Sequence, residues 1–287
     1  MQLSETHNVP KLEKAIRFQE YGVGIFNTIP TKSGIKKAIK KELIYIDGSL
    51  ATTSKYISGE EKIELFQSEK SSIFERLELN LEVLFEDNYL AIVYKPAGIL
   101  VSGNKFVTIA NGLSQNLKKS TQFDAVKPQP IHRLDYPTSG LLLVGKTSTA
   151  IIELGELFKN KEIKKTYFAI TIGTMNTVGL INFLIDEKIA QTKFEVLKTV
   201  ISERFGSLNF VKLEPKTGRK HQLRKHVSEI GNPILGDKKY FLKHKILTGK
   251  GLFLHAGTLD FVHPFTKDKI SITKELPKKF TKIFPDF

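Results

Sequence analysis

Pro130-Ile131-His132-Arg133-Leu134-Asp135-Tyr136-Pro137-Thr138-Ser139-Gly140-Leu141-Leu142-Leu143-Val144 is the most informative stretch of the chain. Its polar half ends in Pro, Thr, Ser and Gly, and a run of branched apolar residues follows. That order predicts a turn or short loop that leads into a buried strand. Catalytic side chains are often carried by loops that a rigid strand holds, so Asp135 is a candidate catalytic residue. The alternative is an Asp that caps a turn or pairs with Arg133.

A second polar motif runs from Lys212 to His226. The turn at 215–218 is predicted to open into a helix over 221–230 that Gly231-Asn232-Pro233 ends. Its cations predict either a phosphate-binding face or a solvated basic face, and they are Arg219, Lys220, Arg224 and Lys225. Arg224 lies beside Leu223 and Val227, so it is predicted to be partly buried. Because a buried Arg needs a carboxylate, Asp135 is its preferred partner.

Two histidines and one tyrosine are further candidates for a functional site. His221 and His226 could hold a metal, but their spacing places them on different sides of a helix, and no acidic or Cys cluster accompanies them. No metal site is therefore predicted. Tyr167, in Lys164-Lys165-Thr166-Tyr167-Phe168-Ala169, is either an ordinary strand aromatic or a ring that stacks on a base and offers a hydroxyl.

The charge of the chain predicts a polyanionic partner. The 287 residues carry a net charge of +14, with a sequence pI near 9.6. Nucleic acid is the simplest such partner, although charge alone does not separate RNA, DNA and anionic lipid. Residues 1–75 hold 11 basic and 10 acidic residues, so most of the excess lies in the C-terminal part. That larger part is expected to face the polyanion.

The composition also indicates in which compartment the protein works and which kinds of site it does not contain. There are no cysteines, which excludes disulfides, thiol catalysis and zinc–thiolate sites and suits a reducing cytoplasm. No apolar run approaches the ~20 residues of a membrane span. The polar N-terminus lacks the apolar core of a signal peptide. A cytoplasmic protein is predicted.

The chain is predicted to divide into an N-terminal module over 1–70, a linker over 71–80 and a catalytic part over 81–287. The polar, weakly patterned stretch Gln67-Ser68-Glu69-Lys70-Ser71-Ser72 indicates the linker. In the catalytic part, strands outnumber helices and are often joined by short turns. This favours an α+β architecture with a large mixed or antiparallel sheet.

Within the N-terminal module, residues 11–21 are predicted to form a short helix. Thr31-Lys32-Ser33-Gly34 offers helix N-cap residues, and an amphipathic helix follows over 35–41. The apolar segment 43–46 predicts a strand, and Asp47-Gly48 is a strong hairpin signal.

Several motifs in one order resemble the RluA-type family of pseudouridine synthases. They span most of the chain, from about Leu81 to Phe280, and comprise Lys95-Pro96-Ala97-Gly98, His132-Arg133-Leu134-Asp135, Thr138-Ser139-Gly140, Lys165-Thr166-Tyr167, Thr217-Gly218-Arg219-Lys220-His221-Gln222-Leu223-Arg224, Gly231-Asn232-Pro233-Ile234-Leu235-Gly236-Asp237, Leu254-His255-Ala256 and His263-Pro264. The resemblance implies the pseudouridine synthase fold with an active-site cleft. Two segments depart from the pattern: the stretch 173–192 is short, and Val101-Ser102-Gly103 lacks the usual His-Pro.

Carried over by motif, the catalytic aspartate of the family falls on Asp135, its active-site tyrosine on Tyr167 and its paired arginine on Arg224. Arg133 is expected to help displace the target nucleotide, with His132 beside it in contact with RNA. Arg219 and Lys220 are expected to bind the RNA backbone.

A shorter and weaker match covers the N-terminal module, which resembles an S4 RNA-binding domain, a small α/β module. Its basic helix would span Ser33–Lys41, followed by the hairpin Tyr45-Ile46-Asp47-Gly48. The RNA-binding side chains would be Lys32, Lys36, Lys37, Lys40 and Lys41.

The resemblance implies isomerisation of uridine in structured RNA to pseudouridine, with the base flipped from its stack and no cofactor. Asp135 would act as a nucleophile at C1′ or C6, or as a base at C2′. Ribosomal RNA is the favoured substrate and tRNA the alternative, and the protein is expected to be a monomer without an obligate protein partner.

Two rival functions compete with this one. A binding-only protein predicts a substituted aspartate, yet Asp135 is present. A metal-dependent nuclease or phosphodiesterase needs clustered carboxylate or His ligands, which the sequence does not show.

Overall fold

In the computed structural model, which describes residues 1–29, 31–67, 77–242 and 249–287, the chain divides into two units, Met1–Arg76 and Leu77–Phe287. Residues 71–76 of the predicted linker lie outside the described residues, and 77–80 have no regular structure. None of the helices in the described ranges is long and apolar enough to cross a bilayer.

The first unit combines an antiparallel sheet with one amphipathic helix. In its described part the sheet has the strand order β1-β6-β3-β4, and β2 pairs separately with β5. The elements are β1 Gln2–Asn8, β2 Ile16–Arg17, α1 Phe18–Tyr21, α2 Lys32–Lys40, β3 Ile44–Ile46, β4 Ser49–Leu50, β5 Tyr56–Ile57 and β6 Lys62–Gln67.

Local sequence explains α2 and the hairpin that follows it. The Thr31 hydroxyl accepts a hydrogen bond from the Gly34 N–H at 3.1 Å, which satisfies one of the free donors at the helix start. On α2, Ile35, Ala38 and Ile39 are buried and the lysines are exposed. Asp47 and Gly48 have φ angles of 49° and 77°, the left-handed pair that a two-residue hairpin requires. The predicted amphipathic helix and hairpin are confirmed.

The helix predicted over Lys11–Tyr21 is wrong. Helix α1 covers only Phe18–Tyr21, and Ile16 and Arg17 pair with Ile57 and Tyr56 as the short strands β2 and β5. Pairing between distant segments replaces the local helical preference there, as tertiary contacts often do.

The second unit is built on a large mixed sheet with few helices. Across its described residues the sheet has ten strands, in the order β12-β13-β14-β11-β15-β10-β8-β7, with β16 beside β15 and β9 beside β10. Its elements are β7 Val83–Glu86, β8 Leu90–Lys95, α3 Ile109–Asn116, β9 Ala125–Pro130, β10 Ser139–Thr147, α4 Ser148–Lys159, β11 Lys164–Ile172, β12 Val178–Ile181, β13 Thr192–Ser202, β14 Gly206–Pro215, α5 Gln222–Glu229, β15 Leu254–Val262, β16 Lys269–Thr273 and α6 Lys278–Thr281. The predicted α+β class is confirmed, and the stretch 173–192 contributes the short edge strand β12.

Strand β10 is the centre of this unit, and all nine of its residues are buried. Its apolar run alternates between two cores: Leu142 and Val144 pack with α3, whereas Leu141 and Leu143 pack with α4. Because successive side chains of a strand point to opposite faces, a continuous apolar run fits a strand that is covered on both sides. Burial of each such side chain stabilises the fold by about 1.5 to 3 kcal/mol.

The sheet parts along one edge of β10, and this positions the loop that precedes it. Strand β15 runs parallel to β10 and pairs with it at Ser139 and Gly140, whereas β9 pairs further along, at Val144, Gly145 and Thr147. Gly140 has a φ of +129°, and a Cβ there would lie 2.2 Å from the Ala256 carbonyl oxygen. Only glycine permits this close approach. The loop 131–138 therefore emerges where β9 and β15 diverge.

Candidate active site

Asp135 lies on the tightly held loop between β9 and β10. The Thr138 N–H donates to the Asp135 carbonyl at 3.0 Å, and the Gly98 N–H donates to the Tyr136 carbonyl at 2.8 Å. The fully buried Lys95 ammonium donates to the carbonyls of Thr138 at 2.6 Å and Pro96 at 2.9 Å. These bonds fix the backbone of Asp135 and of the residues that follow it.

Lys95 is a site residue that sequence reasoning does not single out. Burial lowers its pKa to about 8, although the charge of nearby Asp135 opposes that shift. The motif Lys95-Pro96-Ala97-Gly98 enters the sequence analysis only through a resemblance. A lysine at a strand end followed by Pro-Ala-Gly gives little sign of burial, because most lysines are exposed.

Arg224, on α5, bonds two carboxylates at once. Its Nη1 donates to Asp135 Oδ2 at 3.0 Å, so the predicted pair is present. Its Nε and Nη2 donate to Asp237 Oδ2 and Oδ1 at 2.7 and 2.9 Å, a bidentate pair that the sequence does not indicate. Asp237 also accepts from the backbone N–H groups of Lys239 and Tyr240.

The two buried partners keep each other ionised. Burial alone lowers the pKa of Arg224, but the hydrogen bonds and charges of Asp237 and Asp135 outweigh it and raise the pKa. Burial raises the pKa of Asp237, yet the Arg224 bond and the backbone donors lower it overall. The guanidinium is also 5.1 Å from the Tyr240 ring centroid, a cation–π distance. Arg224 thus presents a fixed donor to Asp135.

His221 completes the surroundings of Asp135. It caps the start of α5 in the left-handed conformation, with a φ of 56°, and its Nε2 lies 3.8 Å from Asp135 Oδ1. Its Nδ1 lies 2.9 Å from the Tyr240 hydroxyl. Burial, with the charges of Arg224, Lys239 and Lys220, lowers the pKa of His221 despite Asp135. The imidazole is therefore neutral at pH 7.

The second helix histidine faces elsewhere. His226 bonds the Thr192 hydroxyl at 2.9 Å and the Phe183 carbonyl at 3.1 Å. The rings of His221 and His226 thus engage different partners, as their spacing predicts.

Tyr167 is directed toward the site by a bulge. Across β11 and β15, Thr166 pairs with Thr258 but Tyr167 pairs with Ala256, so Gly257 is the extra residue. Bulges of this kind re-aim side chains beside active sites. A Cβ on Gly257 would lie 2.6 Å from the Phe168 ring, which explains the glycine. Burial and the charge of Asp135 raise the pKa of Tyr167, so its hydroxyl stays protonated.

His132 and Arg133 are neighbours with different surroundings. The His132 Nε2 accepts from the Leu143 N–H at 3.1 Å, and burial lowers the pKa of this ring to about 3. Its ring centroid lies 4.9 Å from that of Phe158. Arg133 is exposed, and its guanidinium has no hydrogen-bond or ion-pair partner among the residues that the structure describes. The geometry gives His132 a bond within the protein and leaves Arg133 free to meet a ligand.

A cleft of about 1310 Å³ opens above these residues. Among the described residues that line it, ten are Lys or Arg and three are Asp or Glu. Arg219 and Lys220, predicted to bind RNA, are exposed on its wall, and the Arg219 Nε donates to the Ile189 carbonyl at 3.1 Å. A carboxylate at the floor of a strongly basic cleft suits chemistry on a polyanion. Lys32, Lys36, Lys37, Lys40 and Lys41 belong to the first unit, where Lys32 pairs with Glu20.

The chain is also similar in sequence to known proteins. The sequence model of a family described as RNA pseudouridylate synthase matches residues 89–229. Ribosomal large subunit pseudouridine synthase D of Buchnera aphidicola subsp. Schizaphis graminum is 32% identical over 281 residues, covering 88% of each chain. tRNA pseudouridine synthase C of Haemophilus influenzae is 33% identical over 244 residues, covering 72% of this chain and 98% of its own.

Among solved structures, human RNA Pseudouridylate Synthase Domain Containing 4 is similar, with a TM-score of 0.55 and 25% identity. The match covers 70% of this chain and 90% of the human one.

Proposed function

The chain belongs to the RNA pseudouridylate synthase family and is therefore an isomerase of uridine in RNA, and from this premise we propose that Asp135 is its catalytic group. The observation that carries this proposal is the Asp135 carboxylate at the floor of the basic cleft, bonded by Arg224 at 3.0 Å. Arg224 is itself anchored on the buried Asp237.

The reaction moves one bond and leaves the atom count unchanged. The C1′–N1 bond of uridine breaks, the uracil turns within the site, and C1′ bonds to C5, which then loses its proton to solvent while N1 gains one. Asp135 would attack C1′ or C6 as a nucleophile, or remove the C2′ proton as a base. In each case the carboxylate reacts in its ionised form, and the bond from Arg224 at 3.0 Å holds it in position.

Tyr167 would hold the uracil while it turns. Its ring lines the cleft, and a base has a π-face on which any aromatic side chain can stack. Because its pKa is raised, the hydroxyl remains a hydrogen-bond donor at working pH.

Arg133 would occupy the space that the flipped nucleotide leaves. Extrusion of a base from its stack costs a few kcal/mol, which a cation placed among phosphates and neighbouring bases helps to offset. The exposed guanidinium at the cleft edge, free of partners among the described residues, supports this role. Arg219 and Lys220, which also line the cleft, would bind backbone phosphates.

Ribosomal RNA is the proposed substrate, with tRNA the alternative. The relative named for the ribosomal large subunit matches 88% of this chain, whereas the relative named for tRNA matches 72%. We place the reaction in the cytoplasm. A single chain supplies Asp135, Tyr167 and Arg224, which supports action as a monomer without an obligate protein partner.

Pseudouridine mapping of total RNA, by carbodiimide-stop sequencing, tests the function and identifies the substrate. RNA from cells with and without the gene is compared. Loss of a discrete site, restored by the wild-type gene but not by Asp135→Asn, is the expected result. Restoration by Asp135→Asn would overturn the assignment of Asp135, and an unchanged map together with no in vitro release of tritium from 5-tritiated RNA would overturn the activity.

The first unit is proposed to be the S4-like RNA-binding module. The exposed cations of α2 and its end, Lys36, Lys37, Lys40 and Lys41, lie on the face opposite its buried residues. Replacing the four with Gln should weaken RNA binding and reduce the salt slope by about 0.7 for each phosphate that the protein no longer neutralises.

The matched control replaces Lys11, Lys14, Lys55 and Lys62, four exposed lysines of the same unit, with Gln. It should change the slope little. Equal slopes for both variants would show that net charge, not the α2 face, binds RNA.

A further inference from the structure

His221 has an unusual conformation at the start of α5. Its φ of 56° lies in the left-handed region, and its side chain makes no capping hydrogen bond to the helix. Ser, Thr, Asp and Asn are the residues that usually satisfy the free N–H groups at a helix start. A non-glycine residue in the left-handed region persists where its surroundings hold it, often at functional sites. The reason for a histidine here therefore lies in the contacts of its ring.

Tyr240 contacts that ring and is itself fixed against α5. Its hydroxyl lies 2.9 Å from His221 Nδ1, and the two rings meet edge to face with centroids 5.7 Å apart. The Tyr240 carbonyl accepts from the Ser228 hydroxyl at 2.7 Å, and its N–H donates to Asp237 Oδ1 at 3.2 Å. The Arg224 guanidinium lies 5.1 Å from the centroid of the phenol ring. These contacts hold the hydroxyl of Tyr240 at His221 Nδ1.

The imidazole of His221 is neutral at physiological pH. Burial is the largest cause that lowers its pKa, and the positive charges of Arg224, Lys239 and Lys220 lower it further, whereas Asp135 opposes them. A neutral imidazole carries one proton, so one ring nitrogen donates a hydrogen bond and the other accepts one.

The carboxylate of Asp135 determines which nitrogen carries that proton. His221 Nε2 lies 3.8 Å from Asp135 Oδ1, beyond hydrogen-bond distance but close enough for the negative charge to act on the ring. If Nδ1 carried the proton, the lone pair of Nε2 would face a group that only accepts hydrogen bonds. If the Tyr240 hydroxyl donates to Nδ1, the proton is on Nε2 and faces the carboxylate. The second arrangement is electrostatically favourable.

We propose that Tyr240 is a positioning residue of the active site: its hydroxyl donates to His221 Nδ1 and fixes the tautomer whose Nε2–H donates to a carbonyl oxygen of the uracil. His221 and Asp135 both line the cleft, so a uridine within reach of the carboxylate is also within reach of this N–H. The identity of the ligand as uridine rests on the proposed function.

The uracil gains negative charge in each of the routes open to Asp135. Attack at C1′ and removal of the C2′ proton both expel the ring as an anion, and attack at C6 produces an enolate. In all of them the charge is spread onto a carbonyl oxygen of the ring. A fixed N–H donor binds that oxygen more strongly as the charge develops, so it stabilises the transition state more than the bound substrate. His221 transfers no proton in this role.

NMR of the full-length protein, labelled with nitrogen-15 in its seven histidines, reads the tautomer without RNA. Protonated and unprotonated ring nitrogens have well separated chemical shifts, and the His221→Gln variant identifies the His221 signals. The wild type at neutral pH should carry the proton on Nε2, and Tyr240→Phe should shift the ring toward a mixture of the two tautomers. A proton on Nδ1 in the wild type, or the same tautomer ratio in both proteins, would overturn the proposal.

A double-mutant cycle tests whether Tyr240 acts through His221. Tyr240→Phe keeps the ring beside Arg224 and loses only the hydroxyl. In the tritium-release assay it should lower kcat about fivefold with KM unchanged, and His221→Ala should lower kcat about tenfold. Addition of Tyr240→Phe to His221→Ala should have no further effect. Equal losses from Tyr240→Phe in both backgrounds would overturn the proposal, because the hydroxyl would then act on another group.

Tyr89→Phe is the matched control. Tyr89 is also half-buried, stacks on Phe265 with ring centroids 4.3 Å apart, and does not line the cleft. Its substitution should leave kcat and the His221 tautomer unchanged, and circular dichroism confirms that each variant is folded. Absence of turnover by the wild type would count against the proposed function, whereas the tautomer, read without RNA, would still test the contact between Tyr240 and His221.

Discussion

The loop 131–138 and the turn 231–237 each bring one carboxylate to Arg224, but they do so in different ways. Asp237 is 1% exposed and accepts two guanidinium bonds and two backbone N–H bonds. Asp135 is 24% exposed and receives a single bond from the same guanidinium. One carboxylate is buried and accepts four hydrogen bonds, whereas the other accepts one and lines the cleft.

The backbone of the turn that carries Asp237 packs tightly against the backbone at Gly251. Gly236 has a φ of +78°, and a Cβ there would lie 1.9 Å from the Gly251 carbonyl oxygen. The contrast teaches that the two aspartates divide the work: Asp237 holds the arginine, and the arginine then holds the reactive group. Residue type alone does not distinguish them, whereas burial and the number of hydrogen-bond donors around each one do.

Removal of the reactive carboxylate should have the largest effect on activity. Asp135→Asn is expected to reduce turnover by at least about 10³-fold, because a nucleophile or general base is lost while the shape is kept. Release of tritium from 5-tritiated RNA measures turnover, since C5 loses its hydrogen when it bonds to C1′.

RNA binding and stability serve as controls for that variant. Filter binding at fixed salt should be unchanged, and the free energy of unfolding should change by less than about 1 kcal/mol, as for a partly exposed ion pair. Turnover near the wild-type rate would show that Asp135 is not the catalytic carboxylate.

Removal of the anchoring carboxylate should act first on stability. Asp237→Asn leaves the buried Arg224 without its bidentate partner, and loss of one member of a buried pair costs about 3 kcal/mol. Urea unfolding followed by far-UV circular dichroism measures the loss. Activity should also fall, because Arg224 can shift away from Asp135. Unchanged stability in this variant, or an equal loss of stability in Asp135→Asn, would contradict the different roles given to the two aspartates.

Much of the catalytic unit could be predicted from the sequence because its signals are local. The polar loop followed by Leu141-Leu142-Leu143-Val144 predicts the loop and the buried strand, and the basic motif at 219–224 predicts the start of α5. The Asp135–Arg224 pair follows from a physical requirement, since a buried guanidinium needs a carboxylate. The assignment of residues 1–70 as an S4-like module stays a prediction.

The features that the sequence does not reveal share a cause, which is that they depend on contacts between distant segments. Asp237 and Lys95 are charged residues of ordinary appearance, and only the fold shows that they are buried beside Arg224 and the Asp135 loop. The bulge at Gly257 depends on the register between β11 and β15. The helix predicted over 11–21 is wrong for the same reason, because residues 16 and 17 pair with β5.

The smallest expected effect concerns His221, which faces the unsaturated oxygen of Asp135. Since its pKa is lowered from the ordinary value of 6.5, the ring is neutral at pH 7 and gains a proton only as the pH falls below 6.5. The imidazolium would then lie 3.8 Å from Asp135 Oδ1 and draw the carboxylate away from the substrate. Activity should therefore fall on the acid side.

His221→Gln removes that titration while it keeps a polar side chain at the start of α5. We expect turnover at pH 7.5 to fall only a few-fold, on the order of a lost neutral hydrogen bond, and the decline of activity below pH 6.5 to become shallower. The comparison of kcat profiles for the two proteins measures this difference. If the decline of kcat at low pH has the same position and slope in both proteins, His221 serves only at the start of the helix. Oδ1 of Asp135 would then interact with the substrate and not with a protonated His221.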